Sequence, residues 1–110
     1  VSETGNVTAP ILAALTKAGY FCMRLNSGMA KIGRHYVKLC PKGTADILLC
    51  PPFQPCVWIE TKTEKGHTNP EQVKAQAEFA FRVEALGHSY LRATKLDDVL
   101  AVLNSRKEAL

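Results

Sequence analysis

Apolar and polar positions recur along this chain with two different periods, and the alternation between them sets out the elements. Within residues 8–18, Ile11, Leu12 and Leu15 fall at helical spacing, with Thr8 placed as an N-cap, Pro10 tolerated in the first turn and Gly19 as the stop. Residues 20–25 are aromatic and apolar and predict a strand. Asn26-Ser27-Gly28 then turns the chain into a glycine-punctuated basic segment, and residues 36–40 predict a second strand. Pro41-Lys42-Gly43 is a turn. It leads into the apolar run 45–50, which begins at Asp46 and stops at Pro51-Pro52. Residues 56–62 (CVWIETK) are rich in the Val, Ile and Trp that suit strands and end on charged residues.

Helical spacing returns over residues 72–86, with Gln76, Phe79, Ala80, Val83 and Leu86 on one face and Gly87 as terminator. Residues 88–93 predict a last strand. Thr94-Lys95-Leu96-Asp97 reads as a capping box for a final amphipathic helix through Leu96, Val99, Leu100 and Leu103. The order is read as αβββαβα, which predicts an α/β fold with a mixed central sheet flanked by helices. No repeat or linker divides the chain, and 110 residues suit one domain, 1–110.

Charge changes this picture more than composition does. At 46% hydrophobic and 22% charged residues the chain is an ordinary globular one. No apolar run approaches the roughly 20 residues that span a bilayer, and no basic-then-apolar leader opens the sequence, so a cytosolic, non-secreted protein is expected. Cys22, Cys40, Cys50 and Cys56 form no C-x-x-C knuckle and are expected as buried free thiols. The net charge of +4 is unevenly spread: residues 1–45 carry Lys17, Arg24, Lys31, Arg34, Lys38 and Lys42 against the single acid Glu3. Such an excess ahead of Asp46 predicts a polyanionic partner. Arg24, Lys31, Arg34 and Lys38 are the candidate phosphate contacts, acting by positioning since no base-reading motif accompanies them.

The chemistry lies at the end of the 56–62 strand. Alternation puts Trp58, Glu60 and Lys62 on one face and Val57, Ile59 and Thr61 on the other, so Glu60 and Lys62 are neighbours. If the run headed by Asp46 pairs beside Glu60, two carboxylates come within reach of one ion. Mg²⁺ (or Mn²⁺) suits them, because it takes oxygen ligands and keeps part of its hydration shell. Phosphodiester hydrolysis needs an activated water, charge relief at phosphorus and a stabilised leaving oxygen. Lys62 serves either by holding the water and neutralising charge or as general base, and the sequence leaves both open.

Gly43-Thr44-Ala45-Asp46, Ile59-Glu60-Thr61-Lys62 and the following glutamine helix together resemble the PD-(D/E)XK nucleases, and more narrowly the VRR-NUC family. FCMRLNSG (21–28) resembles that family's strand ahead of the catalytic acid, and residues 62–66 resemble its K-T-x-K-G stretch; the resemblance spans about residues 20–103. It implies a restriction-endonuclease-like core, metal ligation by Asp46, Glu60 and the Thr61 carbonyl, and Lys62 as catalytic lysine. It also implies a motif glutamine. Gln72 fits the distance from Lys62, whereas Gln76 fits the Q-x-x-F context with Phe79 and is favoured because the packed face sets its register. The family's extra acid from the first helix has only Glu3 to supply it.

The implied activity is a Mg²⁺-dependent, structure-specific DNA endonuclease in repair, recombination or phage-type replication, in the cytoplasm or nucleoid of a bacterial or phage-infected cell. A stand-alone copy implies a homodimer suited to a four-way (Holliday) junction. Alternatives are a flap-type nuclease, a branched-DNA-binding module that does not cut, and a structural domain with a basic face. Several residues have plainer readings: Trp58 as core packing, His35 and His67 as solvated loop histidines, Glu64 as surface, and Asp97 and Asp98 as helix caps.

Overall fold

The computed structural model describes residues 7–63 and 69–109. The chain runs α1 (Ala9–Lys17), β1 (Phe21–Arg24), β2 (Met29–Ile32), β3 (His35–Lys38), β4 (Ile47–Cys50), β5 (Val57–Thr61), α2 (Pro70–Ala85), β6 (Ser89–Ala93) and α3 (Leu96–Ala109). This is an α/β fold with a mixed sheet. The order differs from αβββαβα because residues 29–38 form a separate two-stranded ribbon, β2 paired antiparallel with β3. The strand expected over residues 36–40 corresponds to β3, whereas β2 was not expected, because nearly every ribbon residue is exposed and no core pattern marks it. The usable signal was the two-residue Gly33-Arg34 link. Gly33 has φ +61° and Arg34 has no positive φ, the pattern of a hairpin turn with glycine at its first central position.

The main sheet has the order β1-β4-β5-β6, antiparallel through β5 and parallel between β5 and β6, with α2 as the crossover. Ile47, Leu49, Val57, Ile59 and Ala93 project from one face and pack with Val7, Ile11, Leu15, Val99 and Leu103 in a single cluster. Each such Val, Ile or Leu stabilises the fold by roughly 1.5–3 kcal/mol through removal from water. On the opposite face α2 covers β5 and β6: Phe79 meets Trp58 edge-on at 5.2 Å and Tyr90 at 6.1 Å between ring centroids. The half of that face formed by β1 and β4 is less well covered, and Phe21 (66%) and Met23 (38%) stand exposed there.

Thr8 is not an N-cap. It is already helical, makes no cap bond and is buried at 2% exposure, because its hydroxyl reaches across to the sheet. The acid that reaches back at the start of α3 is Asp98 rather than Asp97: its Oδ2 accepts the Thr94 N–H at 2.9 Å. That bond holds the Asp98 carboxyl below the usual range, so its contribution is present above about pH 4 and is lost as acid protonates it. The cysteines are free but half-buried rather than buried, with the Cys50 and Cys56 Sγ atoms 3.5 Å apart at the ends of β4 and β5. Among the described residues no helix is long and apolar enough to cross a membrane.

Candidate functional site

Antiparallel pairing of β4 with β5 sets the site. Ile47 is the Cα partner of Ile59, which places residue 46 beside residue 60. The Asp46 N–H also bonds the Ile59 carbonyl at 2.9 Å, so residues 46 and 47 both face Ile59, the two-against-one arrangement of a β-bulge. On its other side the Asp46 carbonyl accepts the Leu25 N–H at 2.7 Å. The Asp46 backbone is thus pinned between two strands.

The bulge turns the Asp46 side chain toward Thr61. Its Oδ2 accepts the Thr61 N–H at 2.8 Å and the Thr61 hydroxyl at 2.7 Å. Because the Thr61 proton is given to Asp46, the Thr8 hydroxyl is the donor in the short Thr8–Thr61 contact. The chain Thr8–Thr61–Asp46 therefore ties the carboxylate to α1, with Thr8 and Thr61 both buried. Oδ1 of Asp46 has no hydrogen bond among the described residues. The Thr61 side chain, which the sequence reading passed over in favour of its carbonyl, holds this carboxylate.

Glu60 and Lys62 project from the other face of β5, as strand alternation predicts. Glu60 is buried at 4% exposure; its Oε1 accepts from Gln76 Nε2 at 2.9 Å and lies 3.6 Å from the Lys62 ammonium. Gln76 is therefore the glutamine of the site. Gln72, one turn earlier, is exposed, and its N–H is bound by the N-cap Asn69 Oδ1 at 2.9 Å. Phe79, packed on Trp58 one turn later, holds this face of α2 against the sheet, so that Gln76 reaches Glu60 while Gln72 sits in the capped first turn.

The approach of α2 depends on Gly43. Its φ is +91°, and a Cβ built there would lie 2.4 Å from the Ala75 carbonyl oxygen. Glycine thus lets the turn before Asp46 touch the backbone next to Gln76, joining both halves of the site.

Tyr90 registers the local negative charge. Burial, then Glu60 and more weakly Asp46, push its phenol up to about 12, against the opposing effect of Arg92. Its hydroxyl is buried without a hydrogen-bond partner among the described residues. Because the folded pKa is raised, its contribution to stability is full below about pH 10 and is lost as pH rises through 12. Alkaline titration at 295 nm should show one tyrosine ionising near pH 12, and Tyr90→Phe should remove that phase without lowering stability.

Of the remaining expected residues, Lys31, Arg34 and Lys38 stand on the ribbon and Arg24 ends β1, all exposed. His35 begins β3 instead of lying in a loop. Trp58 packs on Phe79, in keeping with a core role. Glu3, Glu64, Lys65, Gly66 and His67 lie outside the described residues. Among the described residues no three His, Cys, Asp or Glu side chains form a metal-binding group. Comparison with family models, curated proteins and solved structures returns no match to this chain.

Proposed function

We propose that the protein is a metal-dependent endonuclease with a PD-(D/E)XK-type core that cleaves branched DNA, four-way junctions above flaps. The observation that carries this reading is that the β4–β5 register makes residues 46 and 60 cross-strand neighbours, with Asp46 held on Thr61 and Glu60 bonded by Gln76 and paired with Lys62. An oxygen-ligand ion fits the donors: one Asp46 oxygen is committed to Thr61, the other has no hydrogen bond among the described residues, and the buried Glu60 is the cross-strand neighbour of residue 46. Two carboxylates would suit an ion that keeps several waters, as Mg²⁺ or Mn²⁺ does. Asp46, Glu60 and the Thr61 carbonyl would hold it, and it would supply an acidified water and polarisation of the phosphate.

The chain's own residues do the rest. Thr61 and Thr8 fix the Asp46 rotamer, and Gln76 orients Glu60. The Lys62 ammonium, 3.6 Å from Glu60 and 12% exposed, faces the negative charge that develops on the phosphate oxygens. Arg24, Lys31, Arg34 and Lys38 position the DNA through its phosphates.

A homodimer accords with the exposed β1–β4 half-face. Phe21 and Met23 stand in contact range of half-buried Leu48 and Cys50, an apolar strip that a second copy would cover. The test is cleavage of end-labelled four-way junction, flap and linear duplex in Mg²⁺, Mn²⁺ or EDTA, with sedimentation in parallel. Metal-dependent cuts in the junction by a dimer are expected. Binding to branched DNA without cuts in any metal would replace the nuclease with a non-catalytic module, and a monomer under all conditions would exclude junction resolution.

A further inference from the structure

The β2–β3 ribbon is a costly thing to display. An isolated two-stranded hairpin is marginal in water, yet this one leaves Met29 60%, Ile32 63%, Tyr36 66% and Val37 41% exposed, and its strands pack chiefly on each other. Its register sorts the side chains. Met29 lies opposite Lys38 and Lys31 opposite Tyr36, so these four share one face; Ala30, Ile32, His35 and Val37 share the other. Arg34 sits in the turn. The ribbon holds no Asp or Glu, nor does any residue from Val7 to Ala45. Among the described residues neither Lys31 nor Lys38 has an ion pair or hydrogen bond.

The ribbon is also tied to the site. Below β2 and β3 the Leu39 N–H bonds Gly28 O (2.9 Å), an isolated parallel bridge joins Ser27 to Cys40 through Cys40 N–H to Asn26 O (2.9 Å), and the neighbouring Leu25 N–H bonds Asp46 O (2.7 Å), the bulged carboxylate residue, beside the β1–β4 pair. Hydrogen bonds thus fix where the Lys31–Tyr36–Lys38 face stands relative to Asp46.

We infer that this face grips the sugar-phosphate backbone of a DNA duplex arm next to the cut. The inference rests on the nuclease reading for its substrate, but the grip itself needs no cleavage. Charge complementarity selects the occupant: two uncommitted lysines stand at diagonal positions of a β-pair, with backbones roughly 7 Å apart, close enough for both ammonium groups to reach phosphates of one strand. The face offers charge and no base-reading motif, and the grip is therefore directed at phosphates. From Met29 to the turn the ribbon is about 14 Å long at 3.4 Å per residue, which matches about four base pairs of duplex.

The experiment is equilibrium binding in EDTA to junctions whose arms are trimmed from 15 to 3 base pairs, across a salt series. We compare the natural chain with the Lys31→Ala/Lys38→Ala double variant and the charge-preserving Lys31→Arg/Lys38→Arg variant. Wild type should lose affinity at least tenfold once arms fall below about four base pairs. The alanine variant should lower the log–log salt slope by about 1.8 and bind long and short arms alike, while the arginine variant behaves as wild type. An unchanged slope in an alanine variant with wild-type circular dichroism overturns the proposal. So does a shift from dimer to monomer with the slope intact, which would make the ribbon a contact between copies. No cleavage by any of these chains in a parallel assay in Mg²⁺ or Mn²⁺, with the slope change preserved in EDTA, would remove the nuclease reading and leave the grip.

Discussion

Asp46→Asn should fold as the natural chain does and cut DNA at least about a hundredfold more slowly, the scale on which a single transition-state contact is lost. The two effects separate for a physical reason. The Thr61 N–H and hydroxyl both donate to one oxygen of Asp46, and an asparagine carbonyl oxygen can accept both bonds in the same place. The turn, the bulge and the Thr8–Thr61 link therefore persist, and the unfolding midpoint should stay within a few degrees of wild type. The charge is what disappears. An amide facing the site holds a divalent ion far less well than a carboxylate, so the deficit should appear in single-turnover cleavage and shrink at high Mn²⁺, while DNA binding in EDTA is unchanged. A variant that cuts at the natural rate would remove Asp46 from the machinery.

The second large effect is expected in the scaffold. Gly43→Ala places a methyl group against the Ala75 carbonyl in a backbone conformation with φ +91°. Left-handed strain costs about 1–3 kcal/mol for a non-glycine residue, and overpacking against a helix backbone costs typically 1–3 kcal/mol more. The melting temperature should fall by roughly 10 °C or more, at about 4–8 °C per kcal/mol for a domain near this size. Relief comes only if α2 moves away, which carries Gln76 off Glu60. Activity should consequently fall even at temperatures where the variant is folded. A variant with unchanged melting and cleavage would show that the close approach of the turn to α2 is not needed.

The chemistry-bearing strand was the most legible part of the sequence. Alternation along CVWIETK is a local property, and it placed Glu60 and Lys62 on one face and Thr61 on the other, where the structure has them. The apolar face of α2 likewise favoured Gln76 over Gln72, since a helix register is set by what it buries. Three features were not legible. The bulge at Asp46 is a relation between strands, visible only once β4 and β5 are paired. Thr8 resembles a cap because its neighbours are those of a helix start, but its hydroxyl is used 53 residues away. The first strand of the ribbon lacks a buried face, so its residues carry no core pattern, and of the ribbon only the strand at 36–40 was read.

The most direct test of the account is single-turnover cleavage of the preferred branched DNA by wild type and Lys62→Ala at saturating protein, with binding of the same DNA measured in EDTA. The account predicts Mg²⁺-dependent cutting by wild type, its loss by at least about a hundredfold in the variant, and binding within a few fold of wild type. Equal cutting by both chains, or no cutting by wild type in Mg²⁺ or Mn²⁺ on any branched substrate, would contradict it.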